Sequence, residues 1–142
     1  MNYQLFLCFG QYTAIPDGNF EKALIDLGYD NVIDGQVLSS NFDTITRLSV
    51  SNKNISDLTG IEAFSGLTEL FCAKNNLTHL NVSNNTALNY LYCDANQISN
   101  LDLSNNTALI ELRCNENQIQ SLDLNNNTAL TFLMCHKNQT II

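Results

Sequence analysis

A period of 21 residues runs through the second half of this chain of 142 residues. One cysteine, two leucines and one asparagine recur in a fixed register within each period. The recurring positions are Leu67, Leu88, Leu109 and Leu130; Leu70, Leu91, Leu112 and Leu133; Cys72, Cys93, Cys114 and Cys135; and Asn75, Asn96, Asn117 and Asn138. A fixed period of this length predicts a solenoid, in which each repeat forms one coil that stacks on the next. Function is therefore expected to depend on the surface that the stacked coils present.

Within each unit, the pattern L-x-x-L-x-C-x-x-N-x-L alternates apolar and variable positions around the cysteine. Alternation with a period of two is typical of a strand that is buried on one face. The leucine and cysteine side chains are expected to point inward, and stacked units would form a parallel sheet with strands about 4.8 Å apart. The asparagine follows each strand, where its amide can donate to and accept from buried backbone groups of the turn.

This pattern resembles the leucine-rich repeat, with cysteine in place of the usual leucine at the sixth position. The resemblance implies a right-handed coil with the parallel sheet on its concave face. The second half of each unit, for example residues 101–109, has no room for a regular helix, so few or no convex helices are expected. The predicted fold class is an α/β-type solenoid dominated by β structure, with a short N-terminal helical cap.

The period divides the chain into three segments. Residues 45–142 carry about 4.5 coils, of which the first is atypical and the last is cut short by the end of the chain, so we expect a C-terminally truncated fragment. Residues 11–44 are expected to cap the first coil. Residues 1–10 look like the remnant of a signal peptide, because residues 5–9 are apolar and a small residue follows them. The alternative is an apolar strand of the cap.

The cap segment contains signals for one helix and one turn. A helix is predicted at about 18–28, with Asp17 as its N-cap, because apolar residues follow at helical spacing. Asp34-Gly35 predicts a hairpin turn between strands at 31–33 and 36–38.

Two stretches of sequence point to a source. Residues 15–38 (IPDGNFEKALIDLGYDNVIDGQVL) and 48–62 (LSVSNKNISDLTGIE) look like the front of secreted leucine-rich repeat proteins of the Bacteroidetes, especially flavobacteria. This resemblance implies an extracytoplasmic protein, secreted or at the cell surface, whose intact form is often longer.

Charge and cysteine content narrow the functional classes. The net charge is −8 with only six basic residues, so nucleic-acid binding and binding to an anionic membrane surface are not expected. The simplest role of the acidity is solubility, and the alternative is attraction of a basic partner. The repeat cysteines are expected to be reduced core residues, because side chains in register on neighbouring strands point in parallel, which suits the disulfide dihedral poorly. A metal site is not expected either, because a single row of cysteines cannot supply tetrahedral ligands. No apolar run is long enough to span a membrane.

The sequence offers little catalytic chemistry. His79 and His136 fall at different repeat positions, and no nucleophile, zinc or phosphate-binding motif occurs. Residues 30–35 partly resemble a calcium loop but lack essential oxygen ligands, which favours a plain turn. Glu69 and Glu111 share one outward column about 9–10 Å apart, which indicates a solvated face. We therefore expect no enzyme activity, no cofactor and no metal.

The convex edge carries a regular feature of its own. Asn-Asn-Thr triplets end at Thr86, Thr107 and Thr128. Their simplest role is repeated turn chemistry, and the alternative is a ladder that orders water or binds a polysaccharide.

The outward strand positions are the candidate binding site. Aromatic residues there are not required by the core, and aromatic residues with arginine dominate binding hot spots. The predicted site is a broad apolar patch with Arg113 in its middle, formed by Phe71, Tyr90, Tyr92, Arg113, Phe132 and Met134 together with Glu69 and Glu111.

The predicted function is a non-catalytic, secreted or cell-surface module for adhesion or recognition that binds a protein, or a glycan, on its concave face. The alternatives are a rigid spacer within a larger exported adhesin or enzyme, and a polysaccharide-binding module. Leu130, Leu133 and Cys135 would have a neighbouring coil on one side only, so self-association through that edge is also predicted.

Overall fold

The computed structural model describes residues 10–139. Within this range the chain forms a stack of coils behind a small N-terminal cap. The regular elements in chain order are β1 (Tyr12–Ala14), α1 (Gly18–Asp26), β2 (Gln36–Leu38), a 3-10 turn (Ser39–Phe42), β3 (Arg47–Ser49), a second 3-10 turn (Ile61–Ala63), β4 (Glu69–Phe71), β5 (Tyr90–Tyr92), β6 (Glu111–Arg113) and β7 (Phe132–Met134). The predicted β-dominated solenoid is confirmed.

Strands β3 to β7 form one parallel sheet in which the spatial order follows the chain order. Each strand pairs with the next at the register that the period predicts. The central column of paired residues is Leu48, Leu70, Leu91, Leu112 and Leu133. On the convex side the coils return through turns, and within residues 10–139 Ile61–Ala63 is the one helical turn there. The expectation of few or no convex helices is therefore confirmed.

The core is a set of apolar columns that run through all the coils. Leu70, Leu91 and Leu112 have no solvent-exposed surface. The repeat cysteines lie beside them as unbonded thiols; Cys72, Cys93 and Cys114 are buried and Cys135 is half-buried. Burial raises the pKa of Cys72 and Cys114 to about 12 and that of Cys93 well above its ordinary value. The thiolate is thus strongly disfavoured, and these cysteines act as small apolar residues.

The asparagine that follows each strand joins two coils. The Nδ2 of Asn96 donates to the carbonyl of Cys72 in the preceding coil at 3.1 Å and to that of Cys93 in its own coil at 3.0 Å. Its Oδ1 accepts from the Leu77 N–H at 3.0 Å. The same bridge between coils is made by Asn75, Asn117 and Asn138. This ladder confirms the role predicted for the asparagines.

A second asparagine ladder lies on the convex side, and sequence reasoning missed it. The middle asparagine of each Asn-Asn-Thr triplet is buried rather than part of an exposed edge. The Nδ2 of Asn106 donates to the carbonyls of Val82 and Asn85, each at 3.0 Å. Asn85 and Asn127 make equivalent bonds to the coils before them. The strict repetition of two adjacent asparagines was the signal that one of them is structural.

The turn after each strand contains a residue with positive φ that is not glycine. The values are 56° at Lys74, 52° at Ala95, 56° at Glu116 and 55° at Lys137. Such a conformation is unfavourable for these residue types. It directs the backbone N–H of Ala95 to the carbonyl of Asn115 in the next coil at 3.0 Å, so stacking offsets the strain.

Asp17 fixes the cap to the first coil. One carboxylate oxygen, Oδ1, accepts from the N–H groups of Asn19 and Phe20 at 2.8 and 3.0 Å and caps α1, as predicted. The other, Oδ2, accepts from the N–H groups of Ser56 and Asp57 at 2.8 and 3.0 Å. A single carboxylate therefore caps the N-terminus of α1 and bonds it to the first coil of the solenoid.

The predicted hairpin at Asp34-Gly35 is wrong. Residues 31–33 form no strand, and β2 pairs instead with β1 in an antiparallel ribbon. The turn is held by Glu21, whose side chain is fully buried and whose Oε1 accepts from the N–H groups of Asp34, Gly35 and Gln36 at 3.0, 2.8 and 3.2 Å. A buried carboxylate at a helical position cannot be recognised from periodicity alone. The predicted signal remnant at 1–10 lies, except for its last residue, outside the described residues.

The substitution Asn96→Ala should lower the free energy of unfolding by about 1–3 kcal/mol. It leaves the buried Leu77 N–H without an acceptor, and it removes one of the two asparagine donors from each of the carbonyls of Cys72 and Cys93, which Asn75 and Asn117 still bond. Gln97→Ala is the matched control, since the neighbouring side chain is exposed, and it should change stability by less than about 0.5 kcal/mol. Urea unfolding of both variants measures the difference. Equal losses would show that the ladder contributes no more than an exposed side chain.

The four repeat cysteines should all react with a thiol reagent in the unfolded chain without reductant. In the folded chain near neutral pH, Cys72, Cys93 and Cys114 should react far more slowly, because burial suppresses their thiolate form. Mass spectrometry of the labelled peptides separates the sites. Fewer than two reactive repeat cysteines in the unfolded chain would indicate disulfides and refute the thiol ladder.

Candidate functional site

The predicted site residues all lie on strands β4 to β7 and form two adjacent columns across the sheet. The first column is Ser49, Phe71, Tyr92, Arg113 and Met134. The second is Arg47, Glu69, Tyr90, Glu111 and Phe132. Within each strand the two columns flank a buried leucine, so their side chains stand on the face opposite the core.

Rings and guanidinium groups form a continuous layer on this face. Phe71 and Tyr92 pack edge to face, with ring centroids 4.7 Å apart and an interplanar angle of 61°. The Arg47 guanidinium lies 4.8 Å from the Phe71 centroid. The Arg113 guanidinium lies 4.3 Å from the Tyr92 centroid and 5.6 Å from that of Phe132. Each contact spans neighbouring strands, so the layer depends on the sheet register.

Two glutamates hold the arginines in place. Arg113 Nε donates to Glu111 Oε1 at 2.7 Å, and Arg47 Nη1 lies 3.3 Å from Glu69 Oε2. Glu69 and Glu111 are separated by the strand of Tyr90, as the repeat predicted. Each carboxylate therefore serves as an ion-pair partner and not as half of a catalytic pair.

The titration of this cluster follows from its packing. Burial alone would raise the pKa of Glu111, but the hydrogen bond from Arg113 and the nearby Tyr92 hydroxyl together lower it. The pKa of Arg113 is raised, first by its hydrogen bond to Glu111. Burial, followed by the neighbouring Glu111 carboxylate, raises the pKa of Tyr92. At neutral pH the cluster therefore holds a charged pair beside a neutral phenol.

The site differs from the broad apolar patch that the sequence predicted. Phe71, Tyr90, Tyr92 and Met134 are half-buried, and Phe132 is 42% exposed. Ion pairs lie between the rings, and the guanidinium groups cover ring surface. The sequence identified the residues that come together but not the contacts between them, because these depend on side-chain conformations across strands.

A third outward column continues the sheet beyond the ends of the strands. It consists of Ser51, Ala73, Asp94, Asn115 and His136. Backbone hydrogen bonds keep the register here, as in the bond from the Lys74 N–H to the Asp94 carbonyl at 2.9 Å. None of these residues belongs to the predicted site.

Charge is unevenly distributed over the molecule. Five of the six basic residues lie on the concave strands or in the turns that follow them, namely Arg47, Lys53, Lys74, Arg113 and Lys137. Four acidic residues share that region, namely Glu69, Asp94, Glu111 and Glu116. The remaining ten acidic residues and Lys22 lie on the cap and the convex side. The strand side is thus close to neutral, while the rest of the surface is strongly acidic.

The described residues show no grouping suited to metal or acid-base chemistry. No group of three or more His, Cys, Asp or Glu side chains within 10–139 is arranged to hold a metal ion. His79 bonds to Thr78 and lines a polar groove between two coils on the convex side. His136 lies in the third concave column, so the two histidines do not meet. No helix in this part of the chain is both long and apolar enough to cross a membrane.

Strand β7 pairs with β6 on one side, and no described strand covers its other edge. Leu130, Leu133 and Cys135 are half-buried there. Self-association through this edge stays a prediction.

Comparisons with known proteins point to bacterial leucine-rich repeat proteins. No protein-family model matches the chain. Over 71 residues, half of this chain, it is 38% identical to internalin J of Listeria monocytogenes, and this match spans 8% of that protein. A solved structure described as the functional domain of that internalin, with a cysteine ladder, superposes with a TM-score of 0.83 at 37% identity over 92% of this chain and 30% of the other.

Two further structures support the fold. A Listeria monocytogenes internalin F structure gives a TM-score of 0.74 at 24% identity, over 89% of this chain and 45% of the other. A Leptospira interrogans leucine-rich repeat protein gives 0.53 at 27% identity, over 56% and 22%. The chain thus spans less than half the length of each of these relatives. It has the leucine-rich repeat fold, and its relatives are bacterial leucine-rich repeat proteins, among which internalin J is described with the same ladder of cysteines.

The substitution Glu111→Gln tests the ion pair at the centre of the site. Because the folded-state pKa of Glu111 is lowered from 4.5, its stabilisation is present above that value and is lost as the pH falls through the folded-state pKa. The variant should therefore be less stable than wild type at neutral pH, by up to about 1 kcal/mol, and the gap should close in acid. Urea unfolding across this pH range measures it. The same substitution in an Arg113→Met background should show a smaller pH dependence, because only the Tyr92 hydroxyl then lowers the pKa of Glu111. An equal pH dependence in both backgrounds would contradict the ion pair.

Proposed function

We propose that this chain is a non-catalytic recognition module that binds a protein partner through the concave sheet. The layer of Phe71, Tyr92 and Arg113 carries this proposal. These side chains are not required by the core, yet they are packed, held by neighbours and displayed on a rigid sheet. Tyrosine and arginine in such settings dominate the binding energy of protein interfaces, because they lose little freedom on association.

The charge distribution supports the same face. The strand side is the near-neutral part of an otherwise acidic surface, so a protein partner meets less electrostatic repulsion there if it is itself acidic. The convex side combines exposed carboxylates with polar grooves. A partner that buries apolar surface would therefore lose less hydration energy on the concave side.

The geometry favours a protein over a glycan. Sugars are bound most readily by an open, flat aromatic face, but the Phe71 and Tyr92 rings pack edge to face and each carries a guanidinium group. The mixed layer of rings, charges and hydroxyl instead resembles the centre of a protein interface. Polysaccharide binding, on this face or along the convex threonines, is the second candidate.

The relatives support an extracytoplasmic setting. The similarity to internalins is consistent with a bacterial surface or secreted protein that acts in adhesion or recognition. A source in the Bacteroidetes is the narrower proposal that the front of the chain supports. A rigid spacer within a larger exported adhesin or enzyme is the competing role, and it would not require an ordered layer of aromatic residues and arginines.

The substitution Tyr92→Ala tests the proposal. It removes the ring that joins Phe71 to Arg113, so binding should weaken by about 2 kcal/mol or more, roughly 30-fold. Random peptides displayed on phage are selected on the immobilised wild-type chain, and a glycan array is probed in parallel. The affinities of the selected ligands are then measured for the wild-type chain and for Tyr92→Ala. Binding of peptides that Tyr92→Ala reduces would support a protein-binding concave face.

Thr107→Ala is the matched control on the convex side, where the side chain is exposed. It should leave binding unchanged. Loss of binding in Thr107→Ala with full binding in Tyr92→Ala would move the site to the convex ladder. Binding to glycans alone would favour the polysaccharide role, and no ligand of either class would favour the spacer.

A further inference from the structure

Asp94 occupies the centre of the third outward column. It lies two positions beyond Tyr92, the last residue of the middle strand β5, and on the same face as Tyr92. Its carbonyl accepts from the Lys74 N–H at 2.9 Å, and the next N–H along the chain, that of Ala95, donates to Asn115 at 3.0 Å. The backbone around Asp94 is therefore fixed by both neighbouring coils.

Every other carboxylate on the concave side has a cation beside it. On the strands, Arg47 lies 3.3 Å from Glu69 and Arg113 lies 2.7 Å from Glu111. In the turns beyond the strands, Lys137 lies 3.0 Å from Glu116. The Asp94 carboxylate, although half-buried, has no hydrogen bond or ion pair within residues 10–139. Among the described residues, Asp94 is thus the one carboxylate of this region without an ion-pair partner. Its charge still acts at longer range on Arg113, whose pKa is raised first by Glu111 and also by Asp94.

Asn115 adds a second acceptor without a donor. It lies next to Asp94 in the same column and is only 8% exposed, and its Oδ1 is buried with no partner. On the other side of Asp94 the column continues with Ala73, whose methyl group is short. A half-buried carboxylate and a buried amide oxygen thus occupy neighbouring positions of this column, and neither has a hydrogen-bond donor among the described residues.

We propose that Asp94 and Asn115 form a subsite for a cationic side chain, lysine or arginine, of the protein partner. This rests on the proposed function and specifies the partner's chemistry. An ammonium group offers three donors and a guanidinium group five, which suits two adjacent acceptors. The aromatic layer at Tyr92 would pack against the aliphatic part of that side chain. The strongly acidic cap and convex side would attract a basic segment at long range and speed its association.

The substitution Asp94→Asn tests the subsite, because it removes the charge and keeps the shape. Peptides selected on the wild-type chain should share a lysine or arginine at one position. Asp94→Asn should weaken their binding at least roughly tenfold, and replacing that basic residue in the peptide should have the same effect. The two changes together should cost no more than either alone.

Asp102→Asn is the control, because it removes an equal charge from the convex side, where Asp102 is exposed and caps a turn at Ser104. It should leave binding within about twofold, apart from a slower association at low salt. Urea unfolding confirms that both variants are folded.

The outcomes separate this inference from the proposed function. Selected peptides that lack a common basic residue, or that bind Asp94→Asn as tightly as wild type, would overturn the cationic subsite. If those peptides still lost affinity for Tyr92→Ala, recognition on the concave face would stand. Failure to select any peptide, or selection of peptides indifferent to Tyr92→Ala, would overturn both.

Discussion

The structure depends on one interaction, the amide of a buried asparagine that bonds two successive coils. A coil of 21 residues is too small to satisfy its own turn, because the backbone groups after each strand face the core. Asn96 supplies two donors and one acceptor to these groups, two of which belong to the preceding coil. Apolar columns alone would permit sliding between coils, whereas these bonds are formed in one register. The second ladder, through Asn106, fixes the convex side in the same way.

A register fixed from within leaves the outward positions free to vary. The repeat requires leucine, cysteine and asparagine, but the residues at 90, 92, 111 and 113 are not constrained by it. The same backbone therefore carries a packed layer of rings and ion pairs on its concave side. That layer is preorganised, since Arg113 is held by Glu111 and stacked on Tyr92 before any partner arrives. A partner would lose little free energy in ordering these side chains.

Sequence reasoning succeeded where the period applied and failed where it stopped. The strand register, the inward cysteines and the ladder at Asn96 all followed from the spacing. The cap has no repeat, and there the predicted hairpin was wrong, because Glu21 holds the turn from a buried helical position and β2 pairs with a segment more than 20 residues earlier. The spacing also identified which outward residues come together on the concave sheet, but not the contacts among their rings, guanidinium groups and carboxylates. That these residues bind a partner stays a prediction.

The sequence by itself determined the solenoid, its strand register and the face on which each repeat side chain stands. A fixed period gives every coil the same backbone conformation and the same buried positions. Only the tertiary structure decided which contacts neighbouring coils make with one another. It placed non-glycine residues such as Ala95 at positive φ, since the next coil supplies a carbonyl that offsets the strain. It also paired Glu69 and Glu111 with arginines, while Asp94 has no ion-pair partner among the described residues. The first pairing joins side chains from different coils and the second joins two side chains of one strand. Both depend on side-chain conformations, which no spacing along the chain encodes.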